Sequence, residues 1–249
     1  MSDQIANQSG RWHVTSVPET GSTNADLMKL GADGAPDRTV LRADFQSAGR
    51  GRLNRTWEAP AGVNLLVSLL FRPVPPRPHV LTQVVALSAA AVAADECGVT
   101  VDLKWPNDLL VGGTKVAGIL AQAAPAGPDG IVPFVVVGIG LNLGWAPEGA
   151  TSLAASGWTH SVAPHDYLLA MLPHIDRLLA LDDEALHAEY VSRVATLGTR
   201  VKAQMPDGKD IVGRAIDVEK DGRLVVLDDC AVTHRIDTAD VVHLRPAVD

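Results

Sequence analysis

The sequence predicts an α+β fold, with a mixed central β-sheet that carries helices on one face and a small β-barrel at the C-terminus. Two features support this class. Up to residue 197, apolar segments of strand length are interspersed with a few helical patterns. From Gly198 onward, short strands alternate with tight turns, a pattern typical of small barrels and sandwiches. We therefore divide the chain into a tail over residues 1–11, a large domain over 12–197 and a small domain over 198–249.

The first elements follow from hydrophobic patterning and turn chemistry. Strands are predicted over three segments, residues 12–17, 39–45 and 63–71. A short helix over residues 25–30 follows Gly21-Ser22-Thr23-Asn24, where Ser22 or Thr23 can cap the helix N-terminus. Residues 46–55 hold glycines and arginines without apolar periodicity and are predicted to form a loop.

The later elements alternate between both types. Helices are predicted over three segments, residues 79–97, 167–181 and 184–194. Strands are predicted over four segments, residues 99–104, 109–111, 115–122 and 131–137. Gly112-Gly113 supplies the positive φ angles of a hairpin, and the strand ending at 137 enters a glycine-rich turn over 138–144. Pro173 marks a kink or a helix boundary. The barrel strands are predicted over five segments, residues 200–204, 211–218, 223–227, 231–236 and 241–244.

The charge balance argues against one broad class of partner. The 249 residues include 21 Lys+Arg and 29 Asp+Glu, a net charge of −8, which disfavours a general nucleic-acid binder. Three arginines nevertheless fall within six positions, at Arg50, Arg52 and Arg55. The two cysteines lack CxxC spacing, the N-terminus is polar and no apolar segment is long enough to span a bilayer. These features predict a soluble cytoplasmic protein that binds neither DNA nor membranes.

The arginines alternate with glycines in Gly49-Arg50-Gly51-Arg52, followed by Arg55. Glycines let the backbone approach an anion closely, and guanidinium groups offer bidentate hydrogen bonds to phosphate or carboxylate. An isolated arginine is most simply a solvated surface residue. Because of the alternation with glycine, phosphate binding and a solvated surface loop are equally good interpretations of this segment.

A second constellation joins Lys104-Trp105-Pro106-Asn107-Asp108 to the strand that opens at Lys115. A lone lysine is most simply a surface residue. The alternation of the strand, however, places Lys115 on the face of Ala117 and Ile119, and a lysine on a buried or cleft-lining face needs an anionic partner.

Several familiar sites are missing from the sequence. The run Gly138-Ile139-Gly140-Leu141-Asn142 lacks the spacing of a dinucleotide fingerprint, so it is either a strand-end turn or backbone close to a ligand, with Asn142 facing a base or ribose. There is no P-loop, no GxSxG elbow and no histidine spacing for a metal, so no metal site is predicted from side chains. Trp145 is predicted to be a core or rim residue.

Taken together and in this order, the segments resemble the biotin–protein ligase family. The matching segments are Gly21-Ser22-Thr23-Asn24, Gln46 with Gly49-Arg50-Gly51-Arg52 and Arg55-Thr56-Trp57, Lys104-Trp105-Pro106-Asn107-Asp108, Lys115-Val116-Ala117-Gly118-Ile119-Leu120 and Gly138-Ile139-Gly140-Leu141-Asn142. The resemblance implies a catalytic biotin- and ATP-binding domain over 12–197 with the class II synthetase fold of biotin and lipoate ligases. It also implies that residues 198–249 form a Src-homology-3-like barrel.

The resemblance implies a two-step reaction that consumes ATP accompanied by Mg²⁺. The carboxylate of biotin attacks the α-phosphate of ATP, giving biotinyl-5′-adenylate and pyrophosphate. A lysine of the biotin carboxyl carrier domain of a carboxylase then attacks the adenylate, forming an amide and releasing AMP. Relatives occur as monomers or as weak homodimers promoted by ligand, and both states remain open for this chain.

Site roles follow residue by residue from the resemblance. The biotin site comprises Ser22, Thr23, Asn24, Gln46, Arg50, Gly51, Arg52, Lys115 and Gly118. The site for ATP and the adenylate comprises Arg50, Arg52, Arg55, Trp57, Lys115 and Asn142. Lys115 neutralises charge in both transition states, Arg52 closes over the acyl phosphate, and Asp108 orients or deprotonates the acceptor lysine.

Two departures and two alternatives accompany this hypothesis. Many relatives have glycine where this chain has Asn54, and asparagine also tolerates left-handed geometry, so the loop is expected to keep its conformation. Only eleven residues precede the first strand, so the operator-binding helix-turn-helix domain of bifunctional relatives is not expected. The alternatives are a lipoate or octanoyl ligase on the same fold, which lacks the Lys104–Asp108 motif, and a non-catalytic biotin-binding module, which lacks the charged residues.

Overall fold

A computed structural model of the chain describes residues 11–205, 208–237 and 240–243. The predicted tail over residues 1–11 lies outside these residues, apart from Arg11. The structure contains one seven-stranded sheet, one five-stranded sheet and four α-helices within the described part of the chain.

The seven-stranded sheet is mixed, as predicted. Its strands are β1 (His13–Thr20), β2 (Thr39–Gln46), β3 (Leu65–Phe71), β4 (Asp102–Lys104), β5 (Asp108–Val111), β6 (Thr114–Ala123) and β7 (Val135–Leu141). Their order across the sheet is β1-β2-β3-β7-β6-β5-β4. The β1–β2 pair is parallel and every other neighbouring pair is antiparallel. Gly112 and Gly113 have positive φ angles in the β5–β6 turn, which confirms the predicted hairpin.

Helices cover both faces of the sheet, and not one face as expected. They are α1 (Thr23–Ala32), α2 (His79–Cys97), α3 (Pro164–Leu179) and α4 (Asp183–Ser192). Helices α2 and α3 pack on the face formed by alternate residues of β3 and β7, such as Val67 and Val137. Helix α1 packs on the other face, where Leu27 belongs to one buried cluster with Leu70 and Phe134. The short α1 covers only part of its face, so the rest of that face is left open for a site.

Helix α2 is apolar enough to span a membrane by length and composition alone. Two-thirds of that stretch, 67%, is buried inside the protein, as expected for a core helix. Helix α3 begins three residues before the predicted start and contains Pro173, which neither ends the helix nor divides it into two.

The predicted glycine-rich turn over 138–144 is wrong at its start, because Gly138 and Gly140 lie inside strand β7. These glycines do not reverse the chain; their missing side chains let neighbouring side chains lie close to the strand. A Cβ atom at Gly138 would overlap Asn24 Oδ1, and a Cβ atom at Gly140 would lie 2.5 Å from Trp57 Nε1. The strand is shifted relative to the prediction because these two residues pair with β3 and β6 in the middle of the sheet.

The second sheet is a small antiparallel barrel-like unit, as predicted. Its strands are β8 (Arg200–Gln204), β9 (Asp210–Val218), β10 (Leu224–Asp228), β11 (Thr233–Ile236) and β12 (Asp240–His243), in the order β11-β10-β9-β8-β12. The interior is apolar and includes Val201, Ala215 and Leu224. The domain limits at 11/12 and 197/198 stay predictions, although the first barrel strand begins close to the second limit.

Candidate active site

A cleft of about 230 Å³ opens on the face of the large sheet that α1 leaves uncovered. All thirteen residues predicted for the site line this cleft: Ser22, Thr23, Asn24, Gln46, Arg50, Gly51, Arg52, Arg55, Trp57, Asp108, Lys115, Gly118 and Asn142. They come from the start of α1, the end of β2, the loop after it, the β5–β6 hairpin and the end of β7. The fold therefore brings together side chains separated by up to 120 positions in the sequence.

One part of the cleft is formed by neutral, hydrogen-bonded side chains. Ser22 is the N-cap of α1, so the two following residues are fixed at the first turn of the helix. Gln46 Oε1 accepts hydrogen bonds from the Thr23 backbone N–H at 2.7 Å and from Thr23 Oγ1 at 3.0 Å. Asn24 Nδ2 donates to Leu120 O at 3.1 Å and to Gln122 Oε1 at 2.8 Å. We call Thr23, Asn24, Gln46 and Ser68 the neutral pocket.

Ser68 is the residue of the neutral pocket that lies behind the cleft wall, and the sequence did not single it out. Its hydroxyl lies 2.7 Å from Thr23 Oγ1 and 2.6 Å from Asn24 Oδ1, and the residue is fully buried. The available signal was a single serine in the otherwise apolar strand segment Leu65–Phe71. A buried hydroxyl on the sheet needs polar partners, and here those partners are the first residues of α1.

The arginine loop over residues 49–57 closes on itself through backbone hydrogen bonds. Gly51 N donates to Arg55 O at 2.7 Å, and Trp57 N donates to Gly49 O at 3.0 Å. Residues Arg52–Asn54 form one 3₁₀ turn, in which Leu53, and not Asn54, takes the left-handed conformation with φ of 55°. Leu53 is 65% exposed at the tip of the loop, so the arginines on either side are displayed at the edge of the cleft.

Asn107 connects the arginine loop to the sheet. Its Oδ1 accepts a hydrogen bond of 3.0 Å from Arg52 Nη1. Its Nδ2 donates to Ile119 O at 2.7 Å, and its own carbonyl accepts from Ile119 N at 2.9 Å. In the sequence, Asn107 stands out only as part of the Lys104–Asp108 segment, without a role of its own. The structure shows that the Asn107 amide holds Arg52 with its oxygen while its nitrogen is anchored to β6.

Lys115 and Asp108 form an ion pair of 2.6 Å inside the cleft. Their side chains are 37% and 21% exposed, so the pair remains accessible to a ligand. The predicted phase of Lys115 is wrong: a bulge pairs Leu109 with Ala117 and Leu110 with Lys115, leaving Val116 extra. Ala117 then packs in the core, whereas Lys115 reaches the open face. The expected anionic partner of the lysine is present.

Trp57 forms a wall of the cleft over the two strand positions without side chains. A Cβ atom at Gly118 would lie 3.1 Å from the indole ring, and a Cβ atom at Gly140 would lie closer still. Lys115 Nζ lies 5.7 Å from the ring centroid, within the range of a cation–π contact. The indole Nε1 is buried and has no hydrogen-bond partner among the described residues.

Asn142 lines the cleft but is itself only 1% exposed. Its Nδ2 donates to Thr151 O at 3.0 Å, and its Oδ1 accepts from Asn64 Nδ2 at 3.3 Å. Asn64, a second residue that the sequence analysis missed, also accepts from the backbone N–H groups of Leu143 and Trp145. Direct contact of Asn142 with a base or ribose stays a prediction, because the amide already holds the chain after β7. Lys104 and Trp145 do not line the cleft.

A second cleft of about 860 Å³ shares its border with the first. Arg50, Arg52 and Asn107 line both clefts. The second cleft continues to the barrel, where Gly222 and Asp237 contribute to its wall. Within the described residues, no group of three or more His, Cys, Asp and Glu side chains could hold a metal ion.

Two known protein families match the chain, one in each of its two sheets. The Biotin/lipoate A/B protein ligase family matches residues 14–142, and the Biotin protein ligase C terminal domain matches residues 196–244. The chain is 38% identical to the biotin–[acetyl-CoA-carboxylase] ligase of Mycobacterium tuberculosis, over 98% of this chain and 94% of that protein. The chain belongs to the biotin/lipoate A/B protein ligase family. The corresponding ligase of Paracoccus denitrificans is 37% identical over 76% of this chain and 83% of its own length.

The fold of this biotin/lipoate ligase family member agrees with solved structures. The biotin protein ligase from Aquifex aeolicus, solved in complex with biotin and ATP, superposes with a TM-score of 0.78 at 26% identity, over 94% of this chain and 99% of that chain. All thirteen predicted site residues fall inside the segment 14–142 that matches the ligase family. The barrel falls inside the second matching segment, so both predicted units of the ligase fold are present.

Proposed function

We propose that this chain is a biotin–protein ligase: it activates biotin with ATP to biotinyl-5′-adenylate and transfers biotin to a lysine of a carrier domain. The observation that carries the proposal is the arrangement within one cleft. A neutral hydrogen-bonding pocket, a lysine in an ion pair and an arginine loop surround the same space. A neutral ring, two reacting anions and a reactive intermediate require these three environments.

Biotin would be bound by its ureido ring in the neutral pocket. The ring is uncharged and presents N–H donors and a carbonyl acceptor, so it needs hydrogen-bonding partners without net charge. Ser22 and Thr23 at the start of α1 and Gln46 at the end of β2 offer both kinds of group. Asn24 and Ser68 hold that turn against the sheet. The acyl chain would pass Gly118, where the missing side chain lets Trp57 and Lys115 lie close to the strand.

Lys115 would act in adenylate formation. A carboxylate oxygen of biotin attacks the α-phosphorus of ATP, and the bond to pyrophosphate breaks as the new P–O bond forms. Both reactants are anions, so a fixed cation between them stabilises the charge that builds in the transition state. The ion pair with Asp108 holds Lys115 Nζ in the cleft before the substrates arrive.

The arginine loop would hold the phosphates and protect the anhydride. Arg50 and Arg52 would cover the acyl phosphate with Gly51 allowing close approach of the backbone, whereas Arg55 would direct the triphosphate. Trp57 would contact the adenylate with its ring, and Asn142 would face the adenine or ribose. Asn107 fixes Arg52 on the sheet side of the loop, which supports closure of the loop towards β6.

In the second step, a carrier lysine amine would attack the acyl carbon of the adenylate, and the C–O bond to AMP would break. The amine must lose a proton, for which Asp108 is the candidate acceptor in the cleft. The carrier lysine would enter through the second cleft, because Arg50, Arg52 and Asn107 border both spaces. Mg²⁺ would enter bound to the phosphates of ATP, because the described residues offer no carboxylate cluster of their own.

We also propose the domain limits, the location, the partner and the oligomeric state of this chain. Residues 12–197 form the catalytic domain and residues 198–249 the barrel domain of a cytoplasmic enzyme. The partner is the biotin carboxyl carrier domain of an acyl-CoA or pyruvate carboxylase, with no binding to DNA or membranes. The enzyme is a monomer or forms a weak homodimer when the adenylate is bound.

The test incubates the full chain with ATP, Mg²⁺, labelled biotin and a carrier domain. Acid-stable label on the carrier lysine is the expected result. Labelling with lipoate and not with biotin would favour the lipoate or octanoyl ligase. Biotin binding without pyrophosphate release would favour the non-catalytic module. The ion pair of Lys115 with Asp108 and the complete arginine loop support the ligase over that module.

A further inference from the structure

The turn between β4 and β5 connects the catalytic cleft to the barrel. Lys104 pairs with Asp108, so Trp105, Pro106 and Asn107 form the turn itself, which we call the motif turn. Trp105 is only 3% exposed. Its indole Nε1 donates to Gly222 O at 2.9 Å, and its backbone N donates to Thr196 Oγ1 at 3.0 Å. One side of the motif turn is thus attached to residues that follow the large sheet.

The other side of the motif turn holds the charged groups of the cleft. Asn107 accepts the hydrogen bond of Arg52, and Asp108, the next residue, pairs with Lys115. Only one residue separates Trp105 from Asn107. A shift of Trp105 would therefore move the two groups that orient the guanidinium and the ammonium over the phosphates.

The partner of Trp105 belongs to the β9–β10 turn of the barrel, residues 219–223, which we call the barrel turn. Gly222 has φ of +89°, and a Cβ atom there would lie 2.8 Å from the His79 ring. Arg77 Nη1 donates to Lys220 O at 3.1 Å, and Lys220 forms an ion pair with Glu184. The barrel turn is therefore seated between the start of α2, α4 and Trp105.

We propose that the barrel turn positions the charged half of the active site through the Trp105–Gly222 hydrogen bond. Trp105 is then a positioning residue, and the barrel is a structural part of the adenylation site. This inference rests on the proposed function. The side chains of the neutral pocket lie on α1, β2 and β3 and bond to one another and to Leu120 and Gln122 of β6, so biotin binding is expected to be independent of this connection.

The first test replaces Trp105 with Phe, which keeps an aromatic ring in the core and removes the indole donor. Adenylate formation is followed at 25 °C by biotin-dependent pyrophosphate release. We expect kcat to fall about five- to tenfold, the equivalent of one hydrogen bond of about 1 kcal/mol, with the KM for biotin unchanged. An unchanged kcat would overturn the inference. A rise in the KM for biotin as large as the fall in kcat would overturn it as well.

The second test compares two glycines of the barrel. Gly222→Ala and Gly208→Ala both place a side chain at a positive φ angle, +89° and +84°, but only the Cβ atom of the first meets a neighbour. We expect both variants to lose thermal stability. Only Gly222→Ala should lower kcat, and only it should speed hydrogen exchange of the amides of residues 105–108. Equal kcat values for the two variants would argue against the connection.

Combining Trp105→Phe with Gly222→Ala tests whether they break the same contact. The double variant should have a kcat close to that of the more impaired single variant, because one hydrogen bond is lost only once. Multiplicative losses would contradict this. A wild-type chain without adenylate formation would overturn the proposed function, and hydrogen exchange would then still decide whether the barrel turn holds the motif turn.

Discussion

The two halves of the cleft are built in opposite ways. In the neutral pocket, Ser68 is fully buried and Asn24 is 7% exposed, and each is hydrogen-bonded to neighbouring elements. In the charged half, the side chain of Lys115 is 37% exposed, and Arg50 and Arg52 lie on a loop. The first half is held by buried hydrogen bonds between helix and sheet, whereas the second depends on tethers such as Asn107 and Asp108.

This difference is expected from the chemistry that we propose for each half. A neutral ring is recognised by hydrogen bonds whose geometry is fixed in advance, so buried partners on helix and sheet are suitable. Phosphates need cations, and burying an unpaired cation is costly, so the charges remain near water until anions arrive. Substitutions in the first half should therefore change biotin affinity, and substitutions in the second half should change the rate or the retention of the adenylate.

The largest expected effect is that of Lys115→Ala on adenylate formation. Loss of the cation between two anions should lower kcat by about 10²–10³-fold with the fold retained, measured by biotin-dependent pyrophosphate release. Lys202→Ala is the matched control, because Lys202 forms a 2.7 Å ion pair with Asp210 in the barrel and is 34% exposed. A near-normal yield of adenylate from Lys115→Ala would remove this lysine from its role.

A smaller effect, of the opposite kind, is expected from Ser68→Ala. The change leaves Asn24 Oδ1 without its 2.6 Å donor, so the KM for biotin should rise about tenfold, with kcat changed much less. Ser88→Ala is the control, because Ser88 is equally buried but donates to Val84 O inside α2. If both variants change the KM equally, or if Ser68→Ala lowers only kcat, the division of the cleft into two halves is wrong.

The sequence predicted the charged half better than the tethers that hold it. Arg50 and Arg52 stand out because they alternate with glycines, and Lys115 stands out through its place in the segment that resembles the ligase family. Ser68, Asn64 and the hydrogen-bonding role of Asn107 depend on partners many positions away, such as Thr23 for Ser68 and Arg52 for Asn107. Their identities as polar residues are visible in the sequence, but the pairings that give them a role arise only in the folded chain.

Errors in the strand predictions have a common physical cause. Alternation alone predicts the wrong phase for Lys115, because the bulge at Val116 reverses it. Composition alone predicts a turn at Gly138 and Gly140, although their missing side chains accommodate Asn24 and Trp57. Alternation and composition describe a strand by itself, whereas register and close approach depend on the neighbours of the strand.

An intermediate effect is expected from Asn107→Ala, which removes the acceptor for Arg52. The loop should close less firmly over the acyl phosphate, so the adenylate should escape into solution about three- to tenfold faster, measured by filtration of the enzyme after single-turnover activation. The same leak is measured for Arg52→Ala and for the double variant that combines Asn107→Ala with Arg52→Ala. Because Asn107 is proposed to act through Arg52, the double variant should leak no faster than Arg52→Ala. A clearly faster leak would assign Asn107 a separate function.

The smallest expected effect is the dependence of the free energy of unfolding on pH, which arises at His79 beside the barrel turn. Burial is the main cause that lowers the pKa of His79 below its ordinary value of 6.5, and Arg77 and His187 lower it further against Asp221 and the Lys220 carbonyl. The folded chain thus binds fewer protons than the unfolded chain as the pH falls below about 6.5, so the free energy of unfolding falls with it.

Urea unfolding at about pH 7.5 and about pH 5.5 measures this dependence on His79. We expect His79→Gln to lose less stability than the wild type between the two conditions, because its side chain does not titrate. Equal losses in the two proteins would mean that His79 is protonated as easily in the folded chain as in the unfolded one. Acid would then not loosen the contact between His79 and Gly222, and the barrel turn would be held equally well at both pH values.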